Sequence, residues 1–327
     1  MKGRKIGSPL LQVVDVYRTF DVSQGFLFQR RVEVRAVDGV SLEIYPDETV
    51  GLVGESGCGK TTLGRIIVRL LRPNAGKVIY EGNDVQELSR QDSKRLRREI
   101  QMVFQDPLGS INPRKSIGMG TLRTPMLVNG VAARREVDDI VADLMVKVGL
   151  SPDMARRLPG ELSGGQLQRV GIARALSLNP HLIVADEPVS SLDVSIQAQI
   201  LSLLKGLQAE LNIAFLFISH DLTVVKYMSD RVAVMYLGKI VEMAKTRELF
   251  DNPQHPYTQA LLSAVPSVRK VKDKNRIILT GEVASGSNIP SGCRFHPRCW
   301  RADAICQQVE PRLEGNGHLV ACHNPGR

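Results

Sequence analysis

Gly54-Glu55-Ser56-Gly57-Cys58-Gly59-Lys60-Thr61 decides how the rest of this chain is read. A glycine, four residues and then Gly-Lys-Thr is the spacing of a phosphate-binding loop. The apolar run Thr49-Val50-Gly51-Leu52-Val53 enters it as a strand, and Leu63, Ile66, Ile67, Leu70 and Leu71 leave it at helical spacing. That context matters more than the pattern. A strand, a glycine-rich turn and a helix start aim several backbone N–H groups at one point, where an anion is favoured. Lys60 adds a mobile positive charge there. The Thr61 hydroxyl is suited to a magnesium ion bound to the phosphates, and Thr62 continues the same helix start.

Downstream, Pro73-Asn74-Ala75-Gly76 is a turn before a short strand at 77–80, and 100–104 is a further strand ending at Gln105. Strand signals fade from 106 to 157, where 137–148 has helical periodicity, so this region reads as a mostly helical insertion. Residues 166–178 are helical after two glycines. The run 181–185 is a buried strand ending in Asp186-Glu187-Pro188; 194–211 is a helix, and 214–218 a strand closed by Ser219-His220-Asp221. Strands alternating with helices predict a parallel α/β core. Upstream, 10–44 is β-like around a polar loop at 23–31, Phe20 follows the first strand, and residues 1–8 read as a disordered start.

An acidic pair at a strand end is the expected second half of an ATP-hydrolysing site. Asp186 would hold the magnesium, and Glu187 at the strand tip is placed to polarise an attacking water. In isolation such a pair is more often a helix cap or surface charge. Leu162-Ser163-Gly164-Gly165-Gln166 is a second anion-binding surface at a helix start. One nucleotide needs one phosphate cradle, so a second cradle points to a second nucleotide or to a partner chain's nucleotide. Read as five residues alone, it is a serine cap with flexible glycines.

In this order the pieces resemble the ATP-binding cassette family over about residues 10–250. The phosphate loop looks like Walker A, Gln105 like the Q-loop glutamine, and 162–166 like the signature motif. Residues 182–186 look like Walker B, Glu187 like the catalytic glutamate, Ser191-Leu192-Asp193 like the D-loop, and His220 like the switch histidine. The resemblance implies a RecA-like parallel-sheet core with an antiparallel β subdomain and a helical subdomain. It implies a head-to-tail dimer with two ATP molecules, each between Walker A of one cassette and the signature of the other. His220 would contact the γ-phosphate, Gln105 would join Thr61 and Asp186 at the magnesium, and Phe20 would stack on the adenine. On this reading the cassette spans 9–250, with its helical subdomain at about 107–165, and an extension occupies 251–327.

A narrower resemblance is to the oligopeptide/dipeptide importers. It rests on Gln105-Asp106-Pro107-Leu108-Gly109-Ser110-Ile111-Asn112-Pro113-Arg114 and on His255-Pro256-Tyr257-Thr258-Gln259-Ala260-Leu261-Leu262. The stretch 27–34 before Ala36-Val37-Asp38-Gly39-Val40 resembles the second of their two ATPase subunits. This implies a second homologous ATPase, two membrane permease subunits and an extracytoplasmic solute-binding protein as partners. Nickel and glutathione importers share these features, so the solute stays open.

In the tail, Cys293, Cys299, Cys306 and Cys322 stand apart from Cys58, the fifth cysteine. In a reducing compartment they argue for a metal centre over disulfides. They resemble the cysteine-bearing extension of the same importers, which in some members carries a four-iron, four-sulfur (4Fe-4S) cluster. Four thiolates suit iron–sulfur or zinc, and the absence of Cys-x2-Cys knuckles favours the cluster, with four free thiols as the alternative. His296 and His323 read as loop histidines.

Composition sets the outer limits. The chain is 43% apolar and 24% charged, and no apolar run approaches the roughly 18 residues of a membrane span. The cytoplasm is therefore expected, and the importer resemblance implies a peripheral position at the cytoplasmic face of the inner membrane. The net charge of +9 permits nucleic-acid binding, but the basic cluster Lys94, Arg95, Arg97 and Arg98 lacks interleaved aromatics and reads as a solvated helix face. A soluble cassette ATPase acting on nucleic acid or ribosomes is the rival reading. Such proteins commonly carry two cassettes or a long insertion, whereas this chain has one Walker A, one signature and a modest insertion; no nucleic-acid partner is expected.

Overall fold

The computed structural model describes residues 7–24, 30–265, 277–279 and 286–326. Most of the expected disordered start, the centre of the loop at 23–31, and Leu27 with its neighbours lie outside the described residues. The chain forms two compact units, each assembled from separated stretches.

One unit comprises Glu81–Ile218 with Ile44–Glu48 and the chain up to Leu10. Here Ile100–Val103, Leu182–Asp186 and Ala214–Ser219 run parallel, in register Ile100 to Leu182 and Leu182 to Ala214. Leu182–Asp186 and Ala214–Ser219 are buried at every position. Unbroken apolar runs such as Leu-Ile-Val-Ala and Ala-Phe-Leu-Phe-Ile suit strands covered on both faces, where alternation would leave polar groups stranded. Each fully buried Phe, Leu or Ile contributes about 1.5–3 kcal/mol over its exposed state. The candidate residues Asp186 and Glu187 lie at the end of one of these strands, the usual place for ligand sites in open α/β sheets.

The insertion is helical as its pattern predicts. A π-helical turn at Ile117–Arg123 leads into Thr124–Asn129, and Val137–Lys147 follows. Helix Gly164–Leu176 begins at the serine cap, and Val194–Leu211 runs from the Asp193 cap to Asn212, whose left-handed φ of 51° stops it. Helix Arg90–Glu99 carries the basic cluster; Arg95 pairs with Glu81 and Glu99, and Lys94 and Arg97 are exposed. It is a solvated helix face.

The other unit comprises Leu11–Glu43, Thr49–Tyr80 and Ser219–Arg327. Leu11–Gln24 lies antiparallel to Ala75–Tyr80 and next to Arg30–Ile44. Thr49–Val53 pairs parallel with Arg231–Tyr236. That strand turns back through Leu237 and Gly238, both at positive φ, into antiparallel Lys239–Lys245. Two successive positive φ values are what a tight hairpin of this twist requires. This hairpin has no counterpart in the sequence reading. Leu319–Val320 then adds to Lys239–Lys245, so the tail supplies an edge strand next to the hairpin. The tail's helices are Pro256–Ser263 and the short Ala304–Gln308. Helix Lys60–Ile67 ends earlier than its periodicity suggests: Arg69 turns to a φ of 60°, and Leu70 is left 57% exposed.

Candidate functional site

In the unit holding Thr49–Tyr80, strand Thr49–Val53 delivers the chain to the phosphate loop and helix Lys60–Ile67 carries it away. Gly59 precedes the first helical residue at a φ of 110°, and a Cβ there would stand 2.0 Å from the Ala36 carbonyl oxygen. Only glycine fits. Ser56 and Gly57 are exposed at the crest, while Lys60 is 4% exposed. Its ammonium donates to the carbonyl oxygens of Gly54 at 2.8 Å and Glu55 at 2.9 Å, and lies 3.8 Å from Cys58 Sγ. The loop thus wraps around its own cation. Burial pushes the Cys58 thiol up against the opposing pull of Lys60, leaving a neutral, packed side chain.

Glu55 is held through three groups. Its N–H donates to Tyr257 Oη at 2.8 Å, and its carbonyl accepts from Lys60. Its carboxylate receives both arms of Arg298, at 2.8 and 3.0 Å. Arg298 closes the short turn His296–Arg298 between Cys293 and Cys299. Its Nη1 also approaches Tyr236 Oη at 3.5 Å. Behind these contacts the rings of Tyr236, Tyr257 and Phe295 meet at centroid separations of 4.7 to 5.4 Å. Burial raises the Tyr257 hydroxyl far above its ordinary value, with the Glu55 charge adding to it. His255 Nδ1 accepts from the Tyr257 N–H, and burial lowers its pKa to about 3, so the ring is neutral. His220 is exposed just past Ala214–Ser219, followed by Asp221, which caps Leu222–Met228. Phe20 has the Arg18 guanidinium 4.6 Å from its ring centroid, so one ring face already carries a cation.

In the unit holding Glu81–Ile218, Glu187 follows the buried Asp186 at a φ of 45°, a left-handed conformation rare outside glycine. Its N–H is fixed by the Ile218 carbonyl at 3.0 Å. Gln105 Nε2 donates to Glu187 Oε2 at 3.1 Å and reaches Ser190 Oγ at 3.4 Å. Ser163 and Gln166 form a reciprocal capping box at the start of Gly164–Leu176. A Cβ on Gly165 would meet Ile196 at 2.7 Å, and one on Gly164 would touch Leu192 at 3.5 Å. The two glycines therefore pack the 162–166 stretch against 192–196. Asp193 accepts from the Ser195 hydroxyl at 2.6 Å and the Ile196 N–H at 3.0 Å; these bonds lower its pKa. Its capping role is structural as well as positional.

Cys293, Cys299, Cys306 and Cys322 line one small cavity with Pro256, Phe295 and three histidines, His255, His296 and His323, on its wall. Burial raises all four thiols, Cys322 to about 11, where its three neighbours add to the effect. His296 Nδ1 and His323 Nε2 bond to the carbonyls of Cys293 and Val309. Among the described residues, no three His, Cys, Asp or Glu side chains stand as a ready-made metal-holding group. The sulfurs share a cavity without forming a set of ligands.

The chain matches the ABC transporter family over residues 37–190 and the C-terminal region of oligopeptide/dipeptide transporters over 241–306. It is 52% identical to the oligopeptide transport ATP-binding protein AppF of Bacillus subtilis, over 96% of this chain and 97% of that protein. It is 48% identical to the oligopeptide transport ATP-binding protein OppF of Salmonella typhimurium, over 96% and 95%. It belongs to the oligopeptide/dipeptide family of ABC transporter ATPases. A dimeric post-hydrolysis structure of the ATP-binding cassette MJ0796 bound to ADP and Pi shares the fold, with a TM-score of 0.64 and 28% identity over 72% of this chain and 99% of that one.

Within this ABC ATPase, Gln105 and Glu187 meet in a contact that the sequence reading did not include, and Ser163 caps its helix. Two participants went unread: Tyr257, quoted only as part of a family run, and Arg298. The available signal was Glu55 itself, a carboxylate inside a loop built to attract anions. Such a charge calls for a cation near it. Its partner lies 243 residues away, which no local pattern reports.

Proposed function

We propose that this chain is an ATPase subunit of a membrane importer of peptides, oligopeptide or dipeptide. The reading is carried by one coincidence: a phosphate loop with a buried Lys60 and a C-terminal region of the oligopeptide/dipeptide type occur in one chain. The relatives' names assign them oligopeptide or dipeptide transport. The partners are a second homologous ATPase, two permease subunits and an extracytoplasmic solute-binding protein. The chain acts at the cytoplasmic face of the inner membrane; no helix among the described residues is long and apolar enough to cross one.

The cassette occupies 9–250, with its helical subdomain at about 107–165, and the extension 251–327. The N–H groups of 54–62 and Lys60 bind the phosphates of one ATP, with Phe20 on the adenine. Ser163, Gly164, Gly165 and Gln166, with Asp193, complete the partner cassette's site. Glu187 accepts a proton from the attacking water as its oxygen bonds the γ-phosphorus and the bond to the β-phosphate oxygen breaks. His220 contacts the γ-phosphate. Thr61, Gln105 and Asp186 offer hydroxyl, amide and carboxylate oxygens, a hard donor set that fits Mg2+. When bound, that ion neutralises charge on the phosphate oxygens.

The tail thiols are the residues that would hold an iron–sulfur cluster, with zinc as the alternative. The four cysteines, Cys293 and Cys306 buried and Cys299 and Cys322 half-buried, share one cavity, and no carboxylate lines it with them. Such a centre would join four segments of the tail.

Vesicles containing this chain with its two permeases, partner ATPase and binding protein test the reading. ATP should drive uptake of labelled peptides. Uptake of nickel or glutathione with none of peptides would overturn the peptide assignment.

A further inference from the structure

Walker-type loops are ordinarily described from the strand, the turn and the helix that contain them. Here the loop has a fourth support, and it comes from the cysteine-bearing tail. Glu55 is the second residue of the loop. Its N–H, its carbonyl and its carboxylate go to Tyr257, Lys60 and Arg298 respectively. Two of those three partners lie beyond residue 250 and within one compact unit with the loop.

We propose that Arg298 and Tyr257 are positioning residues of the phosphate loop, through which the cysteine-bearing extension sets the chain's affinity for nucleotide. The inference rests on ATP binding in this loop. Its physical basis is charge and geometry. A carboxylate in an anion-binding loop opposes the phosphates it must admit. The bidentate Arg298 fork neutralises that charge and fixes its direction, as guanidinium–carboxylate pairs do. Arg298 is itself 9% exposed, and its Nε is buried without a hydrogen-bond partner, so Glu55 and Tyr236 are the acceptors that hold the side chain. Tyr257 acts on the backbone instead. Its hydroxyl accepts from the Glu55 N–H, and the ring is clamped by Tyr236 and Phe295. Glu55 then presents its carbonyl to Lys60, so the tail's grip extends to the ammonium that meets the phosphates. Neither Arg298 nor Tyr257 touches nucleotide. They act through Glu55.

The decisive measurement is a charge-rescue series in the full-length chain, read by direct binding of a fluorescent ATP analogue and by KM and kcat for ATP hydrolysis. Arg298→Gln exposes the Glu55 charge and should weaken binding and raise KM about tenfold, with kcat within about twofold of the parent; close charges shift binding by this order. Adding Glu55→Gln to it removes the uncompensated charge and should restore most of the affinity. Tyr257→Phe keeps the aromatic packing, deletes only the acceptor, and should raise KM severalfold on its own. This variant keeps the test decisive if Arg298→Gln does not fold. Unchanged affinity in folded Arg298→Gln or in Tyr257→Phe, or failure of Glu55→Gln to rescue, overturns the proposal. Lys60→Ala is the control for the underlying reading. If the parent chain binds no ATP, or binds it equally well without Lys60, the loop assignment fails, which is a different result from equal binding by parent and Arg298 variants.

Discussion

Gln105 donates to Glu187 across 3.1 Å, joining residues 82 positions apart in sequence. Glu187 is also the residue held at a φ of 45°. A carboxylate fixed by backbone conformation and by a side-chain amide has its direction set by the chain's own contacts. Glu187→Gln keeps the shape and removes the basicity. Hydrolysis should fall by roughly 10²–10⁴-fold, the usual worth of a general base, while ATP binding persists. Phosphate release and nucleotide binding measured on the same preparation check both halves. Hydrolysis at the parent rate would remove Glu187 from the base role.

Gln105→Ala deletes the amide without touching the base. It should lower kcat less than Glu187→Gln does, because the backbone bond from Glu187 to Ile218 remains. Steady-state kinetics of the two single variants and the double variant measure the coupling, and residues in direct contact should deviate from additivity. Strictly additive effects would mean that the contact does not organise the site.

Gly59 offers a test of the loop that is independent of turnover. Its Cβ would stand 2.0 Å from Ala36 O, and its φ is 110°. Gly59→Ala should cost at least about 1–3 kcal/mol from strain at this position. For a chain of this size that is a fall in Tm of roughly 2–4 °C per kcal/mol. Thermal melts of the two proteins check it. An unchanged Tm would mean the loop can re-form without glycine there.

Much of the cassette was legible because its signals are local. The helix at 194–211 and the strand at 182–186 follow from continuous or periodic apolar runs, and Ser163 sits where a cap is expected. The hairpin of Arg231–Tyr236 and Lys239–Lys245 escaped because its strands are buried at nearly every position and its turn is Leu-Gly, a weak turn signal. The early stop of Lys60–Ile67 escaped because Leu70 and Leu71 continue the apolar spacing past the point where Arg69 breaks the helix. Arg298 and Tyr257 escaped for another reason. Their role exists only through contacts with Glu55, and sequence spacing carries no information on such pairs.

The tail thiols give a chemical prediction. Anaerobically purified protein should be brown and contain iron and sulfide. Replacing any one of Cys293, Cys299, Cys306 or Cys322 by serine should bleach it, because each lines the same cavity. Visible absorbance and metal analysis decide between the centres. Colourless protein with zinc overturns the cluster, and colourless protein without metal overturns both.

His255 makes stability depend on pH. Its ring is buried, with a pKa lowered to about 3 from an ordinary 6.5. Below 6.5 the unfolded chain takes up a proton at this residue while the folded chain does not. The stabilising contribution is therefore complete above 6.5 and is lost as pH falls toward 3, at up to about 1.4 kcal/mol per pH unit. His255→Asn does not titrate, and its side-chain oxygen can still accept from the Tyr257 N–H. Between about pH 7.5 and about pH 5, Tm should fall more steeply for the parent than for the variant. Glu242, which accepts the His255 backbone N–H at 2.9 Å, is common to both proteins. Parallel Tm profiles would mean that His255 becomes protonated without unfolding, by opening the aromatic cluster around Phe295 to water.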